Sequence, residues 1–173
     1  MPGSESLREE VVFYFAERFG VSEEAFSGIV FSERKSEIWA ASVIPPPAIF
    51  GTRPPGLRAL RRMRDKLKPT SLFLRFLGDR ITSSRVEITA VEELRTLLLG
   101  GGLPSKLSPG YVAISFRGDV IGCGSVNAGY VKAILPTGRK KELLEILEAD
   151  CDFHHGNLAR DSGKIVLDRG GNE

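Results

Sequence analysis

The residues with the clearest chemical potential lie in the run Gly110 to Pro136, GYVAISFRGDVIGCGSVNAGYVKAILP. A Gly-x-Gly such as Gly122-Cys123-Gly124 starts a phosphate cradle when a strand precedes it and a helix with a third glycine follows. Here Ser125-Val126-Asn127 follow, so the third glycine is missing and the continuation is β-prone. The glycines are therefore expected to allow strand coiling and close backbone approach, with Cys123 a core residue. His154-His155, beside Asp150, Cys151 and Asp152, offer metal-type ligands. Read as a strand, adjacent histidines point to opposite faces, and no second ligand cluster exists to complete a site. Pairing Cys123 or Cys151 with a histidine as nucleophile and base lacks a third, orienting group. The expectation is no catalytic residue, no metal and no cofactor.

The basic residues are more informative, because they are segregated. Residues 1 to 52 hold four basic and eight acidic residues, residues 53 to 85 ten and two, and residues 86 to 173 ten and twelve. A stripe of one sign in a nearly balanced chain (net charge +2) points to a polyanionic partner. Leu57, Leu60, Met63 and Leu67 recur at spacings of three and four, which predicts an amphipathic basic helix over 56–68. Arg58, Arg61, Arg62 and Lys66 would lie on its outer side, flanked by Arg64 and Lys68. Like charges at i,i+4 cost stability unless an anion neutralises them. Arg139-Lys140-Lys141 opens a further helix at 142–147, where bases oppose the helix dipole, and a bound anion would remove that conflict. Lys106 and Lys132 extend the candidate surface.

These residues need elements to position them. Ser6-x-x-Glu9 reads as a capping box, followed by Val11, Val12, Phe13, Phe15 and Phe19 in a buried first helix closed by Gly20. Ser22 to Ser27 reads as a short helical turn. Ile29 to Ser32 and Glu37 to Val43 read as a hairpin, ended by Pro45-Pro46-Pro47. Leu72 to Leu77 reads as a strand closing a first unit at Gly78-Asp79. In a second unit, Arg85 to Thr89 is a strand, and Val91 to Leu99 a helix with Leu94, Leu97 and Leu98 inward. Three glycines end it. Tyr111 to Phe116, Val120 to Val126 and Tyr130 to Leu135 follow as strands, and Lys164 to Leu167 as one more. The reading is an α+β protein: an α+β domain over 1–83, a small mixed β-barrel over 84–160, and a tail over 161–173.

Composition adds limits. A chain of 173 residues, 42% hydrophobic, can bury its own core. No apolar run approaches the ~20 residues of a membrane-spanning helix. The acidic first residues lack a secretory pattern, so a cytoplasmic location is expected. The absence of glutamine and the scarcity of asparagine hint at a thermophilic host.

The segment VEELRTLLLGGGLPSKLSPGYVAISFRGDVIGCG resembles a PUA domain, the RNA-binding barrel named for pseudouridine synthases and archaeosine transglycosylases. The carriers are the short helix ending in glycines, the Gly-Asp-Val hairpin and the Ile-Gly-x-Gly strand, in that order. The preceding region, with GLRALRRMRDKLKPT, is similar to the pre-PUA domain of small archaeal proteins related to the C-terminal part of Sun-family RNA cytosine-5 methyltransferases. PUA-tailed ribosome-biogenesis factors share this architecture. The chain lacks the Pro-Cys nucleophile and the S-adenosylmethionine turn of those enzymes.

The resemblance implies a non-catalytic protein that docks on structured RNA, rRNA or tRNA, in RNA modification or ribosome biogenesis. Its partners would be that RNA and a modification enzyme or assembly factor, with no membrane. Two rival readings are an adaptor or subunit that binds protein, and an RNA-modifying enzyme with a Cys/His site.

Overall fold

The computed structural model describes residues 2–42, 56–64 and 66–158, with side chains over 5–42, 56–64 and 66–149. The fold is mixed α+β with two sheets. Residues Met1–Pro136 form one compact unit and Thr137–Glu173 a second. The division expected at residue 83 falls where the chain passes from one sheet to the other. One core nevertheless runs through both sheets, from Val11, Phe15 and Leu60 to Ala113, Val120 and Cys123.

Helix α1 (Pro2–Phe19) begins earlier than the capping box implied, so Ser6 and Glu9 lie in its interior. Val11, Phe15 and Phe19 repeat every four residues on its buried face, and all are fully buried. Phe13 turns outward and is 68% exposed, contrary to the expectation for it. Gly20, at φ +62°, closes the helix as expected. A short helical turn, Glu23–Phe26, then leads into the first sheet.

That sheet is antiparallel in the order β1-β2-β3-β4: β1 (Val30–Arg34), β2 (Glu37–Ala41), β3 (Leu57–Arg62) and β4 (Leu67–Pro69). The expected basic helix over 56–68 is therefore a β-hairpin. Its closure is reciprocal, Met63 N donating to Lys66 O and Lys66 N to Met63 O. A register shift between Ile38 and Trp39 lets two consecutive residues of β3, Ala59 and Leu60, both be buried. That bulge breaks the period-two pattern and leaves leucines at helix-like spacing. Leu60 packs in a buried row between Ile38 and Pro69.

The expected strand at 72–77 is helix α2 (Ser71–Leu77). The Thr70 side chain caps it, accepting from Phe73 N. Phe73, Leu74 and Leu77 are buried, whereas Leu72 and Phe76 are exposed. This is a helical face rather than a strand's alternation. Phe15, Phe26, Phe31 and Phe73 form the aromatic centre of the core, with ring centroids 5.3 Å apart for Phe15 and Phe73.

The second sheet has the order β5-β7-β8-β9-β6 and curls as an open half-barrel. Its members are β5 (Arg85–Ile88), β6 (Gly102–Pro104), β7 (Gly110–Phe116), β8 (Asp119–Asn127) and β9 (Tyr130–Ala133). Strand β5 runs parallel to β7, and the other pairings are antiparallel. Helix α3 (Val91–Leu98) buries Leu94, Leu97 and Leu98, as expected. Gly122 and Gly124 are close-approach glycines. A Cβ at Gly124 would lie 2.7 Å from Ile114 Cδ1 and 2.9 Å from Lys132 O, and one at Gly122 would strike Leu135 and Ser71.

A hydrogen-bond network around one buried hydroxyl pins β5 to the turn between β7 and β8. Ser115 is fully buried. Its hydroxyl accepts from Arg85 Nε and contacts the Glu87 carboxylate, which in turn accepts from Gly118 N. These bonds, that from Ser115 first, hold the Glu87 carboxyl below the usual carboxylate range.

The second unit contains helix α4 (Thr137–Leu158). Its backbone is helical through 154 and 155, so the strand reading of His154-His155 is corrected, while their side chains lie outside the described residues. The expected strand at 164–167 and the Pro45–Pro47 run also lie outside them.

Candidate nucleic-acid interface

Strand geometry divides the arginines that a helix would have spread along one side. Arg61 and Arg62 are adjacent on β3, so their side chains leave opposite faces. Arg62 shares a face with Leu60 and reaches α1. Its guanidinium grips Glu10 through two bonds of 2.7 and 2.9 Å, and Glu33 through two of 2.9 and 3.1 Å. The bonds to Glu10 and Glu33 raise the Arg62 pKa further above its ordinary value. The bond from Arg62 holds the Glu10 carboxyl below its ordinary value. Arg62 is thus a brace between α1, β1 and β3, and its charge is already balanced.

Arg61 faces the other way. Across the sheet it stands directly opposite Glu37 on one side and Lys68 on the other. Arg58 comes to the same place and pairs with Glu37. Arg58, Arg61 and Lys68 line one cleft of about 360 Å³, together with Thr70, Ser71 and Leu72 at the start of α2 and Ile134 to Pro136 after β9. Arg61 and Lys68 have no ion pair among the described residues, so the cleft keeps a net positive charge. Like charges placed directly across two strands are destabilising without an anion between them. The i,i+4 conflict expected of Arg58, Arg62 and Lys66 is absent, because the segment is a hairpin in which Arg58 and Arg62 are paired with glutamates, and the Arg61–Lys68 opposition is a separate one.

The remaining candidates scatter. Lys66, in the turn before β4, lines a different and larger cleft. Arg64 is exposed at the hairpin end. Lys106 is exposed in the loop after β6, and Lys132 lies on β9 opposite Ser125. In the second unit Arg139 pairs with Glu142 at 2.8 Å and Lys141 with Glu145 at 3.8 Å. The helix thus answers the charge conflict at its start internally. Lys140 has no such pair among the described residues.

Cys123 is fully buried, and burial pushes its thiol up to about 12. It is a core residue, as the glycines beside it implied, and Ser71 Oγ accepts from its backbone N–H at 3.1 Å. Among the described residues no group of His, Cys, Asp and Glu is placed to hold a metal, and no helix is long and apolar enough to cross a membrane.

Residues that the charge pattern did not single out line the larger cleft: Tyr14, Arg18, Tyr111, Ser125 and Asn127. The usable signal was the alternation Ser125-x-Asn127 facing Tyr130-x-Lys132 across the Ala128-Gly129 turn, where both turn residues have positive φ. No protein-family model and no curated protein matches this chain.

Proposed function

We propose that the protein binds RNA through its sugar-phosphate backbone, with the cleft of Arg58, Arg61 and Lys68 as the anion-binding centre. The single observation that carries this reading is the direct cross-strand opposition of Arg61 and Lys68, with Arg58 beside them. A phosphate between them removes a repulsion that the fold otherwise sustains. The PUA resemblance of roughly residues 84 to 155 adds the RNA class, rRNA or tRNA, and a setting in RNA modification or ribosome biogenesis. The role is one of binding, with no catalytic step of its own.

Filter binding of structured RNA across a salt series tests this. The two unpaired cations, Arg61 and Lys68, on phosphates give a slope of log K against log salt of about −1.4 to −1.8, and Arg58 exchanging Glu37 for a phosphate brings it to about −2 to −3. Binding that ignores salt, or no binding, overturns the proposal.

One observation favours a protein partner as well. Phe13 is 68% exposed on α1 in a groove of about 550 Å³ whose charged lining is Glu5, Glu9 and Glu23 against Arg8, which is itself engaged with Phe26 O and Ile29 O. An apolar anchor among carboxylates suits a basic segment of an RNA-modification enzyme or assembly factor.

A further inference from the structure

Strand β4 has a cleft on each side. Lys68 lines the cationic one, Lys66 and Leu67 line the larger one of about 740 Å³, and Ile134 borders both. The larger cleft differs in chemistry. Tyr111 on β7 pairs with Ser125 on β8, which pairs with Lys132 on β9, so the three form one row across the sheet. Two residues along, Asn127 pairs with Tyr130. The same face of β8 is core at Cys123 and opens into the cleft at Ser125 and Asn127.

The opposite wall comes from Tyr14 and Arg18 of α1. The Arg18 guanidinium is fixed by donating to Tyr111 O at 2.7 Å and to Ser108 O at 3.1 Å. It lies so close over Gly110 that a Cβ there would be 2.9 Å from it. The Tyr14 hydroxyl is buried in this wall without a hydrogen-bond partner. The cleft thus presents aromatic rings, a pre-set planar guanidinium, an amide and a hydroxyl, in a volume typical of small-ligand sites.

A lone phosphate has no use for the tyrosines, and an RNA duplex read by its backbone has no use for the side chains of Ser125 and Asn127. An unpaired nucleobase uses all of it: stacking on aromatic or arginine planes, with hydrogen bonds on its edge. We propose that this cleft receives an unpaired nucleobase of the bound RNA, with Tyr111 and Arg18 as stacking surfaces and Ser125 and Asn127 as edge partners. The inference rests on the RNA reading above and adds that the bound segment is single-stranded at β4.

The test compares a ribonucleotide hexamer with an abasic ribose-phosphate hexamer of equal charge, both titrated onto the full chain. The base-bearing hexamer is expected to bind about fivefold tighter or more. Tyr111→Leu should remove most of that preference, and Tyr111→Phe should keep it. Asn127→Ala, at an exposed position, should level the affinities for hexauridylate and hexaadenylate even if Tyr111→Leu fails to fold. Equal binding of the two hexamers with a salt slope intact overturns this inference and leaves backbone binding standing. No binding of either hexamer, together with no binding of structured RNA, overturns both.

Discussion

Removing the Arg62 side chain separates bracing from binding on one strand. In Arg62→Ala both carboxylates of the clamp lose their partner, and Glu10 and Glu33 are left facing each other. Arg62, Glu10 and Glu33 are 36%, 41% and 32% exposed, so solvent screens each pair. An exposed pair contributes roughly 0.2–1 kcal/mol, and two-pronged geometry belongs at the upper end. The loss is therefore about 1–2 kcal/mol, a fall in Tm of about 2–8 °C for a chain of this size. Glu10 has a lowered pKa in the folded state, so its contribution is present above the ordinary carboxylate pKa of about 4.3 and is lost as pH falls through the lower folded value. The gap between parent and variant, followed by thermal melts, should be full at pH 7 and narrow below about pH 4. Arg61→Ala, on the neighbouring residue, should melt at or slightly above the parent, because no ion pair is lost and the opposition to Lys68 is relieved. An Arg62→Ala protein that melts with the parent at pH 7, or a gap unchanged in acid, refutes the reasoning.

Further expectations follow from the second sheet and its core. Gly122→Ala should cost about 1–3 kcal/mol in a denaturant melt, because its Cβ meets Leu135 and Ser71. Ser115→Ala strips the buried hydroxyl from Arg85 and Glu87, and should cost about 1–3 kcal/mol. Cys123, with its thiol pushed up to about 12, should resist iodoacetamide at pH 8 and react only in denaturant, as read by peptide mapping.

In the second half of the fold β5, α3, β7, β8 and β9 were legible because their signals are local and agree, whereas β6 and the full extent of α4 were not read. The leucines of α3 fall on one helical face, glycines follow, and the strands around Arg117-Gly118 keep their apolar runs. Residues 57 to 77 misled for physical reasons. The bulge opposite Ile38 puts Ala59 and Leu60 both inside, so β3 lost the alternation that marks a strand. Neither Asn-Gly nor Asp-Gly marks the hairpin end. In the next stretch the six apolar-rich residues from Leu72 read equally as strand or helix, and the deciding feature was the cap at Thr70. The basic stripe was visible as composition, but its division was not. Which arginine braces and which faces a cleft depends on strand parity, and on Glu10 and Glu33, distant in sequence. The tyrosine-lined cleft needs α1, β4 and β8 together, a juxtaposition no local pattern encodes.

The central claim is tested most directly by matched charge reversals measured against one structured RNA over a salt series. Arg61→Glu with Lys68→Glu changes the cleft. Lys35→Glu with Arg117→Glu makes the same change in net charge at two exposed turn positions that line neither cleft. The account predicts that the cleft pair weakens binding about tenfold or more and reduces the magnitude of the salt slope by about 2, while the turn pair stays near the parent. Equal losses in the two proteins, or a cleft pair that binds like the parent, would contradict it.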